Sequence, residues 1–347
     1  MLNFEEARRH FTSAATVLGC EEVPLESALG RVLAEPIVAP QAIPPFDTSA
    51  MDGYALYVDD TFKCPYRLPV YGEAPAGAPP GVLKTGTVYR IFTGAAVPKG
   101  ANAVVMQEHI ERQNDEIYGE KPVIIGQNIR RCGEDLEAFG LALAPGKRIH
   151  PGTLSLASFL DRATLVVNRA PKVTILCTGS ELRAPGTEPI PGSIPESNSS
   201  TVAALARQAG AIVINRSRVV DDPDAIRSKI ESALVDSDVL VTIGGVSVGD
   251  YDYVRPALEQ ANVVLELYQV GIKPGKPITL GRRGKQLVVG LPGNPASAIL
   301  TFALFGMPLL RAMQNEKEPF PTATSVVMGT DLKADPKRTR IVLGNRT

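Results

Sequence analysis

Apolar residues recur at helical spacing from the start of the chain. Phe4, Ala7, Phe11, Ala14 and Leu18 fall on one face of a helix predicted over residues 2–18. Asn3 followed by Glu6 has the spacing of a capping box at its start. The periodicity then stops, because Pro36, Pro40, Pro44 and Pro45 impose extended, helix-free backbone. Residues 47–138 are rich in Gly, Pro and β-branched types. Short apolar runs at 88–92 and 103–106 predict a small β-domain of strands and turns there. A helix is expected again at 153–160, bounded by Pro145, Gly146, Pro151 and Gly152. The first half is therefore expected to hold a discontinuous N-terminal and linker domain, residues 1–46 with 139–170, and an inserted β-rich domain, residues 47–138.

From Pro171 onward the pattern is regular. Strand-like runs at 173–177, 212–214, 239–243, 263–267, 278–280 and 287–290 alternate with helical stretches at 201–210, 224–235, 253–260 and 295–313. This predicts a multidomain α/β protein whose domain over 171–316 is a mostly parallel sheet wound on both faces. Asn198 and Ser199 are placed to cap the first of these helices, and Asp222 with Pro223 opens the second in N-cap and N1 order. The uncharged stretch 287–310 is broken by Pro292, Gly293, Asn294 and Pro295, and again by Gly306 and Pro308. A bilayer span needs about 20 unbroken apolar residues. A buried strand, a loop and a buried helix are expected instead, with no membrane partner.

Composition adds mainly exclusions. The 347 residues are 44% hydrophobic and 21% charged, an ordinary globular mix for a chain of two or more domains. A net charge of -1 supplies no basic field for a nucleic-acid backbone. Trp is absent, and Tyr and Phe are not interleaved with basic residues, so no stacking platform for single strands is present. Cys20, Cys64, Cys132 and Cys177 are far apart, as reduced thiols are. His10, His109 and His150 are isolated and lack metal-ligand spacing. The N-terminus has neither the basic region nor the apolar core of a signal peptide, so a cytoplasmic location is expected.

In a sheet of this kind ligands bind beyond the carboxyl ends of the strands. Three unusual loops are expected there: residues 177–182 (Cys-Thr-Gly-Ser-Glu-Leu) at the end of the first strand, residues 244–252 (Gly-Gly-Val-Ser-Val-Gly-Asp-Tyr-Asp) and residues 291–296 (Leu-Pro-Gly-Asn-Pro-Ala). Glycines let backbone N–H groups approach an anion, and a following helix N-terminus favours negative charge. One such loop is often only a tight turn; three on one edge point to an oxyanion or phosphate pocket. Lys273-Pro-Gly-Lys276 puts two ammonium groups on a stiff turn, which suits a bound polyanion and equally a solvated hairpin tip. Asp47, Asp52, Glu134, Asp135, Glu181, Asp221, Asp222, Asp250 and Asp252 complete the set of acids. Carboxylates beside phosphate-binding loops suit a hard cation such as Mg²⁺, whereas Asp222 reads as a helix cap.

Taken together, these segments resemble the signature of the molybdopterin molybdenumtransferase family, which includes the bacterial MoeA proteins and the gephyrin E-domain. The matching stretches are 47–54 (Asp-Thr-Ser-Ala-Met-Asp-Gly-Tyr), 93–98 (Thr-Gly-Ala-Ala-Val-Pro), 133–135, 178–182, 244–253, 272–277 and 291–298, in family order over nearly the whole chain. The resemblance implies insertion of molybdenum from molybdate into adenylylated molybdopterin, with hydrolysis of the phosphoanhydride and release of AMP. It implies catalytic roles for Asp52, Thr93, Asp135, Glu181, Asp221 and Asp252. Substrate and molybdate binding would fall to Ser180, Gly244, Gly245, Ser247, Gly249, Lys273, Lys276, Pro292, Gly293, Asn294 and Pro295. Mg²⁺ is the implied cofactor, with Glu181 and Asp252 as its ligands. The implied assembly is an elongated homodimer whose cleft lies between subunits, and the molybdopterin adenylyltransferase is a further expected partner.

The resemblance departs from the family pattern at the C-terminus. Family members continue into a fourth, β-rich domain that supplies an Arg and a Ser to the molybdate site. Here residues 317–347 hold only its beginning, which starts near Pro321, and these last residues are expected to form an edge strand pair or to lack order, since about 25 residues cannot make a stable β-domain. The alternative reading is a non-catalytic molybdopterin-binding or scaffold protein. Nucleotide pyrophosphatase-like proteins share the sheet domain but lack the 47–54 segment. A Rossmann dehydrogenase is disfavoured because no GxGxxG follows the strand at 173–177.

Overall fold

The structure is a computed structural model and describes residues 1–245, 253–267, 269–327, 329, 335, 338–342 and 344. The chain divides into two compact units, one made of Pro36–Leu143 and one of Met1–Glu35 with Ala144–Thr347.

The inserted unit is built on β1 (Gly53–Leu56), β2 (Tyr66–Ala74), β3 (Val88–Ile91), β4 (Ala103–Met106), β5 (Ile110–Gln113) and β6 (Glu116–Gly119), hydrogen-bonded in the order β4-β1-β3-β2-β6-β5. All neighbours are antiparallel except β2 and β3. Strand periodicity explains why both faces are covered. Tyr54 and Leu56 of β1 pack with Val88, Val105 and Ile117, while Ala55 packs on the opposite side with Ile91 and Val104.

The larger unit opens with α1 (Phe4–Ser13), whose Asn3–Glu6 capping box forms as the spacing predicts. The helix ends earlier than predicted. Its ending at Ser13 frees the Leu18 amide to donate to the Met313 carbonyl, a tertiary bond in place of further turns of helix. Residues Cys20–Pro24 then pair antiparallel with Thr164–Asn168, after α2 (Pro151–Phe159). The main-chain amide of Leu33 donates to Lys147 and that of Gly146 donates to Leu33, so the chain's exit to the inserted unit and its return are pinned together.

The α/β part contains β7 (Lys172–Thr178), α3 (Asn198–Gln208), β8 (Ile212–Val219), α4 (Pro223–Asp236), β9 (Val239–Ile243), α5 (Val254–Gln260), β10 (Val264–Leu267), β11 (Thr279–Arg283), β12 (Gln286–Leu291) and α6 (Pro295–Met313). The sheet order is β8-β7-β9-β12-β11-β10. The first four strands are parallel, and β11 and β10 close the far edge antiparallel. Val173, Ile175 and Cys177 alternate onto one face with α1, α3 and α6, while Leu176 faces Ile226, Ile230 and Leu258 of α4 and α5. The sheet is therefore wound on both faces. By length and composition α6 could cross a membrane. Its Phe302, Phe305, Leu309, Leu310 and Met313 are instead packed in this core, and Phe305 meets the rings of Phe4 and Phe11 at 5.9 and 5.3 Å. Near the C-terminus Thr339–Arg340 pairs parallel with Ile272–Lys273.

Candidate active site

The carboxyl ends of β7, β9 and β12 converge, and backbone shape decides what fits between them. Gly244 (φ 90°) and Gly245 (φ 61°) follow β9 in a conformation that L side chains rarely adopt. A Cβ on Gly244 would lie 2.8 Å from the Thr178 carbonyl oxygen, and one on Gly245 would lie 2.4 Å from Val254. Both glycines are thus needed for the close approach of the β7 and β9 loops. Gly293 lies next to Gly244 and accepts a 2.9 Å hydrogen bond on its carbonyl from the side-chain Nδ2 of Asn198 at the start of α3. Asn294 caps α6, its side-chain oxygen accepting from Ser297 N at 3.2 Å, with Pro295 in the first turn. A small cleft of about 80 Å³ opens here, lined by Thr178, Glu181, Glu196, Asn198, Ile243, Gly293 and Pro295 among others.

Ser180 and Asp221 tie the β7 loop to the end of β8 reciprocally. The Ser180 amide donates to the Asp221 carboxylate at 2.9 Å, and the Asp221 amide donates to the Ser180 hydroxyl at 3.1 Å. Glu181 next to them is exposed, and its carboxylate has no hydrogen bond or ion pair among the described residues. Lys273 and Lys276 are exposed on the turn that leads into β11. Thr279 pairs with Gly290 near the end of β12, so this turn stands on the same sheet edge. Pro292 is buried. Ser247, Gly249 and Asp252 lie outside the described residues.

One helix start differs from expectation. Asn198 and Ser199 do not cap α3; Glu196 does. Its carboxylate accepts from the Ser199 amide at 2.7 Å, from the Ser199 hydroxyl at 2.6 Å and from the Cys177 thiol at 3.4 Å. Helix α3 begins three residues earlier than predicted, which puts Asn198 and Ser199 inside its first turn rather than at its cap. Burial works to raise the Glu196 carboxyl, but the Ser199 and Cys177 hydrogen bonds outweigh it and leave the group below its ordinary value. Burial, with Glu196 alongside, pushes the Cys177 thiol far up, so it is no nucleophile. A Glu three residues before Ser199 was the available signal for this cap. By contrast, Asp222 caps α4 as expected, accepting from Ala225 N at 2.7 Å.

In the inserted unit, Asp52 and Thr93 meet directly. Oδ1 of Asp52 accepts from the Thr93 amide at 2.8 Å and from the Thr93 hydroxyl at 2.9 Å. These two bonds, with a smaller effect of Arg90, hold the carboxyl below the usual range against a modest opposing effect of burial. Asp135 forms an ion pair with Arg130. Nearby, Asp47 accepts from the Cys132 amide at 2.9 Å and pairs with Arg131 at 2.6 Å, joining the 47–54 and 130–135 segments.

Comparison with known proteins now bears on this geometry. Residues 2–160 match the MoeA N-terminal region (domain I and II), and residues 174–312 match the family described as "Probable molybdopterin binding domain". The chain is 39% identical over 320 residues to molybdopterin molybdenumtransferase 2 of Mycobacterium tuberculosis, covering 89% of this chain and 79% of that one. This chain belongs to the molybdopterin molybdenumtransferase family. A Bacillus subtilis molybdopterin molybdenumtransferase is 33% identical over 331 residues, covering 93% of this chain and 77% of its own. The MoeA molybdopterin biosynthesis protein of Pyrococcus horikoshii OT3 superposes with a TM-score of 0.76 at 33% identity, covering 92% of this chain and 81% of that structure. The family's multidomain α/β fold is thus the fold of this chain.

Proposed function

We propose that this protein inserts molybdenum into adenylylated molybdopterin in molybdenum cofactor biosynthesis, using molybdate and releasing AMP. The observation that carries the reading is the floor formed by Thr178, Gly244 and Gly293 beneath a cleft at the sheet edge, within residues that match a molybdopterin-binding domain. In this reading the main-chain amides beyond β9 and at the start of α6 hold phosphate oxygens, and Ser180 and Asp221 keep the β7 loop in register with them. The exposed ammonium groups of Lys273 and Lys276 hold the tetrahedral oxyanion. Asp52, kept ionised by Thr93, steers a water toward the scissile anhydride, and Asp135 orders the polar rim beside it.

Among the described residues no three His, Cys, Asp or Glu side chains form a metal cluster. Mg²⁺ commonly takes one or two carboxylates and completes its shell with phosphate oxygens and water, and the uncommitted Glu181 carboxylate fits that use. Glu181 and Asp252 would hold it. Bound there, Mg²⁺ would neutralise charge on the anhydride. The reading also includes a cytoplasmic homodimer in which the acids of one protomer's inserted unit serve the sheet edge of its partner. It further includes hand-over of the adenylylated substrate from the adenylyltransferase. The test is AMP release from adenylylated molybdopterin with molybdate and Mg²⁺ each present and absent. Release that requires molybdate is expected. Tight binding of the substrate without release under any condition would sink the catalytic reading.

A further inference from the structure

Arg90 is a residue that the motif segments do not include, yet it binds both Gly53, which follows Asp52, and Gln107, which is bonded to it. It lies opposite Tyr54 in the β1–β3 pair. Its Nη1 donates to the Gly53 carbonyl at 2.9 Å, one residue beyond Asp52. Its Nη2 donates to the side-chain oxygen of Gln107, and the main-chain amide of Gln107 in turn donates to the Asp52 carbonyl at 3.0 Å. The guanidinium also lies 5.2 Å from the Tyr54 ring centre and 4.8 Å from that of Phe92. The chain then leaves β3 through Phe92 to Thr93, whose two donors take Oδ1 of Asp52. A half-buried cation stacked on two rings and forked between two acceptors is a rigid joint, and a flexible ammonium cannot reproduce it.

We propose that Arg90 is a positioning residue for the transfer reaction. It locks β1, the turn Gln107–His109 and β3 together, so that Asp52 holds Oδ1 against Thr93 and leaves Oδ2 for the reacting water. This inference rests on the function proposed above. Oδ2 accepts no hydrogen bond among the described residues. The charged groups on the elements packed against Asp52 are Arg90 on β3 and Glu108 and His109 on the adjoining turn. Glu108 is itself engaged, accepting from the Gln107 side-chain amide at 3.3 Å. The cation next to Asp52 is therefore Arg90, and its geometry rather than its charge alone sets the carboxylate.

The experiment compares Arg90→Lys, Arg90→Gln and Gln107→Leu in the full chain by two readouts. One is the kcat and KM of AMP release across pH. The other is the ionisation of Asp52, followed by carboxyl NMR without substrate. Positioning predicts that kcat falls about tenfold in Arg90→Lys and about a hundredfold in Arg90→Gln, with KM changed less than about threefold. Gln107→Leu, which keeps the cation but removes one of its acceptors, should resemble Arg90→Lys. In Arg90→Gln the Asp52 titration should move upward. Unchanged kcat in all three variants, or losses that match the fall in folded protein by circular dichroism, would overturn the proposal. Failure of the wild-type chain to release AMP would count against the proposed function instead. The NMR arm would still decide whether Arg90 governs Asp52, an unmoved titration in Arg90→Gln and Gln107→Leu counting against it.

Discussion

A single carboxylate oxygen of Asp52 receives two hydrogen bonds from Thr93, one from its amide at 2.8 Å and one from its hydroxyl at 2.9 Å. Both favour the ionised form, so the carboxyl is held low and the interaction persists until the pH falls through that lowered value. Thr93→Ala removes the hydroxyl and should move the acid limb of AMP release upward in pH, whereas Thr93→Ser should leave it near the wild-type position. Asp52→Ala should lower kcat by about a hundredfold or more while weakening substrate binding far less. Equal losses of binding and turnover would mean that Asp52 organises the pocket rather than the reaction.

Gly244 and Gly293 face each other but should respond differently to a methyl group. Gly244→Ala must place Cβ 2.8 Å from the Thr178 oxygen with φ at 90°, whereas Gly293→Ala meets only Gly244 Cα at 3.7 Å. The first should cost about 1–3 kcal/mol of stability. The second should cost less than about 1 kcal/mol. Urea denaturation of the two variants measures the contrast; similar midpoints would show that the loop relaxes freely.

Glu196 sits under the cleft with both oxygens engaged at the start of α3. Glu196→Ala should destabilise the chain by about 2 kcal/mol, since buried donors on Ser199 lose a charged partner. The folded carboxyl is lowered, so its contribution is present above the unfolded value near 4.5 and is lost as the pH falls through the folded one. The variant should therefore show a shallower loss of stability on acidification than wild type. Parallel pH–stability curves would refute this.

Tyr66 is 8% exposed in the inserted unit, and burial pushes its phenol up to about 12. The folded state thus keeps the proton that the unfolded chain releases near pH 10. The stability from this group is present below pH 10 and declines as the pH rises toward about 12. Ultraviolet titration should show late-ionising tyrosine absorbance, and Tyr66→Phe should remove its highest step. A Tyr66→Phe spectrum identical to wild type would contradict it.

Much of this was legible in the residues because periodicity encodes burial. Residues 239–243 are apolar except for Thr242 and form a strand covered on both faces; the capping pairs Asn3–Glu6 and Asp222–Pro223 are local and formed as read. What the pattern hid depends on tertiary contact. The direction of β10 and β11 at the far edge is not written in their hydrophobicity. Helix α1 gave up its last turn to a bond between Leu18 and Met313. Glu196 lies in a Pro- and Ser-rich loop outside the motif segments, and only the fold buries it against Cys177. Asp52 and Thr93 could be named from motif segments. Their meeting on one oxygen, and the role of Arg90 behind them, required the pairing of β1 with β3.

The hydrogen bonds from Leu33 to Lys147 and from Gly146 to Leu33 hold the departure and return of the chain side by side. An insertion entered and left through so narrow a neck leaves the surrounding core continuous. Residues 36–143 can lengthen, shorten or be exchanged without rethreading a strand of the larger unit, and a short bridge from residue 35 to residue 144 would bypass them. The two units are thereby free to diverge at different speeds, each answering to its own packing.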